Sequence, residues 1–248
     1  MAGLNGRLVA PLSNDLVASG CAYIRHHRKR YTFTLDRVQE CVTALRAQRR
    51  NDAVILDVGP HFLTGLLCER FPDIKINTLG FEGPGLYARR KVNEHLEFDL
   101  NETRFRNRWP TFHEHDIIVM GEVLEHLYAA PTAALAFMRT LLKGHGRLVL
   151  TTPNAVALAK RIRMLMGRNP FQMLREGTAL GHIREYTREE LSRLGEMAGL
   201  GTDKVYMANY FVSDSRLVNC FHAAASVIPS LRCGITIIYS RDGRPPPT

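Results

Sequence analysis

Cysteine is scarce and dispersed in this chain of 248 residues. Its five cysteines stand far apart, and none forms a CxxC pair. The spacing therefore gives no signature of a zinc site or of a redox-active dithiol. Dispersed thiols are typical of proteins in reducing compartments, so we expect a cytoplasmic protein whose core is stable without disulfides.

Long hydrophobic runs are also missing. The most apolar late stretch, residues 221–239, is interrupted by His222, Pro229 and Arg232. A membrane-spanning helix needs about 20 predominantly apolar residues, so we expect none here. We also expect neither end to carry a signal or transit peptide, and the overall composition favours a soluble, globular protein.

Acidic residues are outnumbered by basic ones. The chain has 24 Asp and Glu against 33 Lys and Arg, for a formal net charge of +9. Basic residues cluster at 25–30 (RHHRKR) and again between Lys160 and Arg168. Such an excess can attract phosphate, nucleic acid or anionic lipid, but a solvated basic surface is the simpler interpretation. No RNA-binding module accompanies the charge, so nothing but the charge favours nucleic acid as a partner. Nucleic acid and a peripheral membrane contact both stay open.

Short apolar runs alternate with helical patterns along most of the chain, which predicts an α/β fold with a mostly parallel sheet covered by helices on both faces. A glycine-rich turn at 144–146 precedes the fifth of the predicted strands. Strands are predicted at 53–58, 75–81, 96–100, 116–120, 147–151, 202–210 and 235–239, and helices at 62–71, 131–142 and 187–198.

The domain organisation follows from what flanks this core. Residues 1–50 are predicted to form an N-terminal helical cover, and 51–243 the main domain. Within it, an insertion at 155–183 is predicted to cover the substrate, and its residues 155–174 are predicted to be a basic helical segment broken at Asn169-Pro170. The proline-rich tail, 244–248, is expected to be disordered.

Ligands of a doubly wound sheet bind at the carboxyl ends of its strands. Asp57 and Gly59 follow the first strand, where a glycine lets a ligand approach the backbone. A dinucleotide fingerprint would have further glycines where His61 and Leu63 stand. The segment is therefore compatible with a cofactor loop and with an ordinary strand-to-helix turn.

Acidic residues follow the second and third strands. Glu82 lies 25 positions after Asp57, at a place where a carboxylate can accept both hydroxyls of a ribose. Asp99, next to Leu100, could accept from an adenine amino group. The alternatives are an exposed loop acid for Glu82 and a helix cap for Asp99.

The segment after the fourth strand carries the strongest signal. Glu122, Glu125 and His126 are spaced i, i+3, i+4, which would place them on one helix face. Two carboxylates and an imidazole on one face can hold a divalent cation or act as acid and base. A capped helix with solvated charges is the alternative.

Four segments together resemble a known family: VILDVG at 54–59, DIIVMGEVLEHL at 116–127, GRLVLTTPN at 146–154 and GHIREYT at 181–187. They are similar to class I S-adenosylmethionine-dependent methyltransferases of the ubiquinone-biosynthesis O-methyltransferase type. The resemblance covers roughly residues 50 to 205.

The resemblance implies a Rossmann-like, seven-stranded sheet ordered 3-2-1-4-5-7-6 with the last strand antiparallel. It implies S-adenosylmethionine as cofactor. That group usually has glycine at the positions of His61 and Leu63, so His61 is expected to narrow the loop at the methionine end of the cofactor. The implied cofactor-binding residues are Asp57, Gly59, His61, Glu82, Asp99, Leu100, Met120 and Gly121.

Some members of this group, and the small-RNA 3′-terminal 2′-O-methyltransferases, bind a metal. The resemblance therefore implies that Glu122, Glu125, His126 and His182 hold Mg²⁺ or Mn²⁺, which would grip the acceptor oxygen. The alternative is that His126 caps or packs the helix and His182 is a lid residue that contacts the substrate; without a metal, His126 could still act as a general base.

The expected function is O-methylation of a small-molecule, sugar or lipid-linked hydroxyl. Three alternatives stay open: a nicotinamide-dependent oxidoreductase, a binding protein that kept the fold without catalysis, and an RNA 2′-O-methyltransferase. The insertion could present apolar residues to an acyl or ring acceptor and basic residues to phosphate or a membrane surface. The sequence predicts neither the acceptor nor the oligomeric state.

Overall fold

A computed structural model describes residues 14–81, 92–174, 181–210 and 216–241. Within them the chain forms six α-helices around one seven-stranded sheet. The helices are α1 (Asn14–Ala47), α2 (Phe62–Arg70), α3 (Pro131–Thr140), α4 (Leu158–Leu165), α5 (Arg188–Met197) and α6 (Arg216–Val227). The strands are β1 (Val54–Val58), β2 (Lys75–Gly80), β3 (Glu94–Glu97), β4 (His115–Gly121), β5 (Leu142–Pro153), β6 (Gly201–Ala208) and β7 (Gly234–Ser240).

The sheet has the order β3-β2-β1-β4-β5-β7-β6. β1 to β5 pair in parallel, and β7 runs antiparallel between β5 and β6. The Rossmann-like class and the strand order expected from the resemblance are both confirmed. β2 and β3 lie on one side of β1, and β4 and the later strands lie on the other. The strand order therefore reverses between β1 and β4, where a ligand crevice opens.

Period-two alternation in the strands builds a separate core on each face. In β4, Ile118 and Met120 pack beneath α3 and α5, whereas Ile117 and Val119 pack beneath α1 and α2. All four side chains are fully buried. A strand buried on both faces reads as a continuous apolar run, which is why this segment was recognisable from the sequence.

Helix α1 covers the second of these cores. Its buried residues Leu35, Val38, Val42 and Leu45 recur at helical spacing, as the sequence indicated, and they join the core cluster of α2 and the sheet. The helix begins at Asn14, so the helical cover occupies most of the first 50 residues. Its middle passes over the carboxyl end of β4.

Strand β5 is longer than predicted. The predicted turn at 144–146 instead lies inside the strand, where pairing with β4 slips from His115↔Leu142 to Ile117↔Arg147. A Cβ on Gly146 would lie 2.9 Å from the carbonyl oxygen of Lys143, so the glycine permits an irregular strand rather than a reversal.

Other boundaries also differ from the prediction. β3 ends at Glu97 because Leu100–Arg104 forms a 3₁₀ helix. In the part of the insertion that the structure describes, helix is confined to Leu158–Leu165, and Gly167 follows with φ +69°. Thr187 caps α5 with the expected capping box. α6 was missed, because its apolar residues were assigned to one long stretch with β7. The tail 244–248 lies outside the described residues.

Within the described ranges, no helix is both long enough and apolar enough to cross a membrane.

A buried histidine should give the stability of this fold a pH dependence. His115 is fully buried, and its Nε2 lies 3.1 Å from the amide nitrogen of Asn77. Burial lowers the pKa of His115 from 6.5 to about 4. Between pH 6.5 and pH 4, His115 binds a proton in the unfolded chain but not in the folded one. The contribution of His115 to the free energy of unfolding is therefore fully present above pH 6.5 and is lost as the pH falls towards 4.

We expect His115 to account for up to about 2 kcal/mol of the unfolding free energy lost between pH 7.5 and pH 5. His115→Gln should remove that part of the slope, as measured by urea denaturation at both pH values. His113→Gln is the matched control, because His113 is mostly exposed. An unchanged slope in His115→Gln would show that His115 is protonated in the folded protein.

Candidate functional site

Two cavities open at the carboxyl ends of β1, β2 and β4, with volumes of about 890 Å³ and about 940 Å³. These volumes lie at the upper end of the range for small-molecule sites. The first is lined mainly by the loops after β2 and β3 and by the insertion, and the second by α1 and the loops after β1 and β4. Both are lined by Gly59, Phe81, Val123, His126 and Gln172.

Gly59 lies where the two cavities meet. Its φ is +74°, and a Cβ there would lie 2.8 Å from Val123 Cγ2. Its N–H donates to the carbonyl of Leu79 at 2.8 Å, which ties the loop to the end of β2. The turn therefore requires glycine, and its bare backbone forms part of both cavity walls.

Asp57 is buried at the end of β1 and lines the second cavity. Its Oδ2 accepts a hydrogen bond from Thr64 Oγ1 at 2.6 Å, and that hydroxyl accepts from the backbone N–H of His61 at 2.9 Å. Burial raises the pKa of Asp57 to about 7, and the Thr64 hydrogen bond only partly opposes this shift. Asp57 thus supports the loop from within as well as facing the cavity.

The two residues that stand where glycines were expected have different environments. His61 has an extended backbone, lines the second cavity, and packs edge-on against Phe62 with ring centroids 4.3 Å apart. Burial, and then the charge of Arg30, lower its pKa. Leu63 is buried and belongs to the core beneath α1 and α2. Both residues line the second cavity, but Leu63 is mostly committed to the core, whereas the His61 ring is the polar side chain at this wall.

Asp99 and Leu100 line the first cavity beside Phe98. Asp99 Oδ1 accepts from the backbone N–H of Asn101 at 2.8 Å, so the residue caps the 3₁₀ helix and faces the cavity at once. Met120 is fully buried beneath α3 and lines neither cavity, whereas Gly121 lines the second. Glu82 lies outside the described residues.

The expected helix face after β4 is wrong. Glu122 has a left-handed backbone with φ +57°, and only Leu124–His126 is helical, as a single 3₁₀ turn. The Glu122 carboxylate turns towards α1, with Oε2 3.2 Å from Arg30 Nη1, while Oε1 accepts from Thr151 Oγ1 at 3.0 Å. Glu122 is therefore separated from Glu125 and His126 despite the spacing.

Three of the four predicted metal ligands do converge. Glu125, His126 and His182 can each place one ligand atom within 4.8 Å of the others. Glu125 is fully buried. Its Oε2 accepts from Thr152 Oγ1 at 3.1 Å, and its Oε1 has no hydrogen-bond partner among the described residues. Burial, and then the charge of Glu122, raise the pKa of Glu125 well above its usual value.

The two imidazoles are held in defined orientations. His126 Nδ1 lies 2.8 Å from the carbonyl oxygen of Gly181, which can only accept, so the proton is on Nδ1 and Nε2 carries a lone pair. His182 Nδ1 lies 3.0 Å from Glu185 Oε1. The two rings are 4.9 Å apart at 77°. Burial, followed by the charges of His126 and Lys160, lowers the pKa of His182 to about 4.

Three functional neighbours were not predicted individually. Arg30 belongs to the basic cluster at 25–30 but is buried against Glu122. Lys160, expected to face phosphate or a membrane, instead contacts Glu185 and donates to the carbonyl of Asn154 at 3.1 Å. Glu185 lay inside the resembling GHIREYT motif. The motif could have drawn attention to Glu185, but no pattern in the sequence pairs it with Lys160.

The site can bind an elongated polar ligand across both cavities. It can accept a proton at His126 Nε2, or it can hold a cation among Glu125, His126 and His182. Each part comes from a loop at the carboxyl edge of the sheet.

Comparison with known proteins supports this description. The family model described as a methyltransferase domain matches residues 24–205. No curated protein matches the chain in sequence.

Several solved structures share the fold. A Haloferax volcanii protein described as a methyltransferase, solved with its activator Trm112, has 14% identity and a TM-score of 0.53, with 86% of this chain and 93% of that chain covered. A Galdieria sulphuraria protein described as a sarcosine dimethylglycine methyltransferase has 12% identity and a TM-score of 0.52, with 84% and 86% covered. The magnesium protoporphyrin IX methyltransferase of Synechocystis, with bound S-adenosylhomocysteine, has 12% identity and a TM-score of 0.50, with 86% and 84% covered.

The His61 side chain generates a testable expectation. Because the His61 ring lines the second cavity where glycine was expected, His61→Gly should keep or increase the affinity for S-adenosylhomocysteine in a calorimetric titration. His61→Ala is the matched control, because alanine removes the ring without adding the backbone freedom that glycine brings. A tenfold or larger loss of affinity in both variants would make His61 a binding residue rather than an obstruction.

Proposed function

We infer the function from the premise that the chain belongs to the methyltransferase-domain family, whose model matches residues 24–205. It is an S-adenosylmethionine-dependent methyltransferase. We propose that it transfers the methyl group to a hydroxyl of a small-molecule, sugar or lipid-linked acceptor. The observation that carries this proposal is the His126 imidazole, held by Gly181 so that Nε2 is available as a base in the wall shared by both cavities.

The two cavities divide the cofactor in this proposal. Asp99 and Leu100 would contact the adenine in the first cavity, and Glu82 the ribose. Asp57, Gly59 and His61 would surround the methionine end in the second, while Gly121 would contribute backbone at the end of β4 and Met120, which lines neither cavity, would support it from the core. Supporting this division, Gly59 joins the two cavities and its backbone is open to both.

The proposed chemistry asks little of the protein beyond orientation and proton removal. When bound, S-adenosylmethionine supplies a methyl group already activated as a sulfonium. His126 Nε2 would accept the hydroxyl proton as the acceptor oxygen takes the methyl group and the sulfur leaves as the neutral thioether. Gly181 fixes the ring throughout, so the lone pair needs no rearrangement. The products are the methyl ether, S-adenosylhomocysteine and a protonated His126.

The base is tested by replacing it. His126→Ala should lower kcat by about 10²- to 10⁴-fold, the usual contribution of a positioned base, while the affinity for S-adenosylhomocysteine stays within about threefold. The acceptor is found first by incubating the protein with methyl-tritiated S-adenosylmethionine and separate pools of phenols, sugars, lipid extracts and RNA. His113→Ala is the control. Label in RNA would favour the nucleic-acid alternative, and full activity in His126→Ala would remove His126 as base.

A divalent cation is the alternative to a base at His126, because Nε2 cannot both bind an ion and accept a proton, and the donor set fits a cation. Glu125 offers an oxygen without a hydrogen-bond partner among the described residues, and His126 and His182 each have Nε2 free of the contacts made by Nδ1. Three acceptor atoms with no donor between them suit a cation. Such an ion, Mg²⁺ or Mn²⁺, would lower the acceptor hydroxyl's pKa. Glu122, committed to Arg30 and Thr151, is left out of this proposed set.

The two glutamates provide a matched test of the cation. Exhaustive chelation should abolish turnover, and Mn²⁺ should raise the thermal midpoint of the wild type. Glu125→Gln should lose that stabilisation, whereas Glu122→Gln should keep it, because only Glu125 lies with the two imidazoles. Full activity after chelation, with no Mn²⁺ effect on stability, would leave His126 to act without metal.

The surface beside the first cavity favours a lipid-linked acceptor. Met164, Leu165 and Met166, at the end of α4, are 59%, 87% and 58% exposed. Arg163 and Met173 lie at the cavity wall, so apolar and basic groups extend from the cavity onto the open surface. This combination suits an anionic membrane interface, where basic groups meet headgroups and apolar groups enter the acyl boundary.

Flotation with liposomes tests this surface. The protein should bind vesicles containing anionic phospholipid at low salt and bind neutral vesicles much less. Leu165→Glu should reduce binding about tenfold or more. Met197→Glu should not, because Met197 is equally apolar and 67% exposed but lies on α5. Equal losses in both variants, or no binding at all, would dismiss the membrane contact.

A further inference from the structure

We propose that Glu185 and Lys160 are positioning residues, which together hold the His182 ring with Nε2 directed towards Glu125 and His126. The inference rests on the proposed function, since it assigns the imidazole beside the base its orientation. Neither residue is thought to touch the acceptor. They act through His182.

Glu185 is the centre of the arrangement. It is 8% exposed and lies between two partners. Its Oε1 lies 3.0 Å from His182 Nδ1, and its Oε2 contacts Lys160 Nζ. Lys160 is also anchored, since Nζ donates to the carbonyl of Asn154 at 3.1 Å. The Glu185 carboxylate is thereby fixed between the His182 imidazole and the Lys160 ammonium.

The contact geometry sets the orientation of the imidazole. His182 Nδ1 faces Glu185 Oε1 at 3.0 Å, and Lys160 Nζ lies against Oε2 of the same carboxylate. A carboxylate that already accepts from an ammonium acts as an acceptor towards the ring as well, which favours the tautomer with the proton on His182 Nδ1 and the lone pair on Nε2.

The pair also joins the two ends of the insertion. Lys160 lies on α4, near the start of the insertion, and Glu185 comes just after the end of the insertion. The backbone N–H groups of Ile183 and Arg184 donate to the carbonyl of Glu125 at 2.7 and 3.2 Å. The returning chain is therefore bound to the residues around the base, and Lys160 fastens the outgoing helix to the same place.

This arrangement links the cavity wall to the imidazoles. Pro170, Phe171, Gln172 and Met173, which line the first cavity, lie in the chain between the two fastened ends. Breaking the pair should loosen both the insertion and the His182 ring. A role confined to stability would loosen the insertion without changing the tautomer.

Nitrogen NMR of the histidine rings tests the proposal directly, without an acceptor. The full-length protein, uniformly ¹⁵N-labelled and saturated with S-adenosylhomocysteine, should show His182 with a protonated Nδ1 and an unprotonated Nε2. His182→Gln assigns the signals. A wild-type His182 protonated at Nε2, or averaged between tautomers, would overturn the proposal whatever the variants do.

Variants then separate positioning from folding. Lys160→Met and Glu185→Gln should shift His182 towards mixed tautomers and lower kcat about 10- to 100-fold, the typical effect of removing a group that orients a ligating or reacting side chain. Lys160→Arg, which keeps the charge, should restore both. Matched controls are Lys204→Met and Glu189→Gln, whose side chains are 60% and 70% exposed.

The outcomes distinguish this inference from the function on which it rests. If the expected tautomer is present but no acceptor class is methylated, the proposed function fails and the positioning stands. If methyl transfer occurs and Lys160→Met leaves both the tautomer and kcat unchanged, the positioning fails and the function stands. Should Lys160→Met not fold, Glu185→Gln and the wild-type spectrum still decide.

Discussion

β1 and β4 pair in parallel with Val58 opposite Met120, so the loops that follow them leave the sheet side by side. Every part of the candidate site depends on this adjacency. Gly59, in one loop, is packed so closely against Val123, in the other, that a side chain at Gly59 would not fit. Gly59 and Val123 therefore meet where both cavities are lined by the same residues, and His126 follows three residues after Val123. A shift of either strand by one residue would reverse its side chains and dismantle both walls.

Burying carboxylates at this edge of the sheet costs free energy, because they lose their hydration. Nearby basic side chains offset that cost for two of them. Glu122 and Glu185 each have a basic partner brought by a distant segment, Arg30 from α1 and Lys160 from α4. Glu125 accepts a hydrogen bond from the Thr152 hydroxyl and lies 4.0 Å from His126 Nε2, but no Lys or Arg side chain of the described residues pairs with it. A buried carboxyl without a full partner is expensive, which marks Glu125 as a place for a proton or cation to bind.

The fold and much of the site were predictable because they depend on local patterns. Continuous apolar runs identified the strands, and the loops that follow them contained Asp57, Gly59, Asp99 and His126, all of which line the cavities. The spacing rule failed at Glu122 because it assumed a helix, and nothing local indicates the left-handed backbone there. Arg30 and Lys160 could not be placed for a different reason: each is a basic residue in a basic cluster, and only the tertiary fold shows which cation turns inward.

The fold is shared with solved structures that are 12% to 14% identical to this chain, so the fold by itself cannot determine the acceptor. The segment between β5 and α5 contributes to three parts of the candidate site. It supplies the exposed apolar end of α4, part of the wall of the first cavity, and the residues that hold both imidazoles. Because one segment carries all three, a change that alters acceptor binding there should also alter the orientation of the base. Selectivity and rate are therefore expected to vary together when the insertion is mutated, rather than independently as they would if separate loops supplied them.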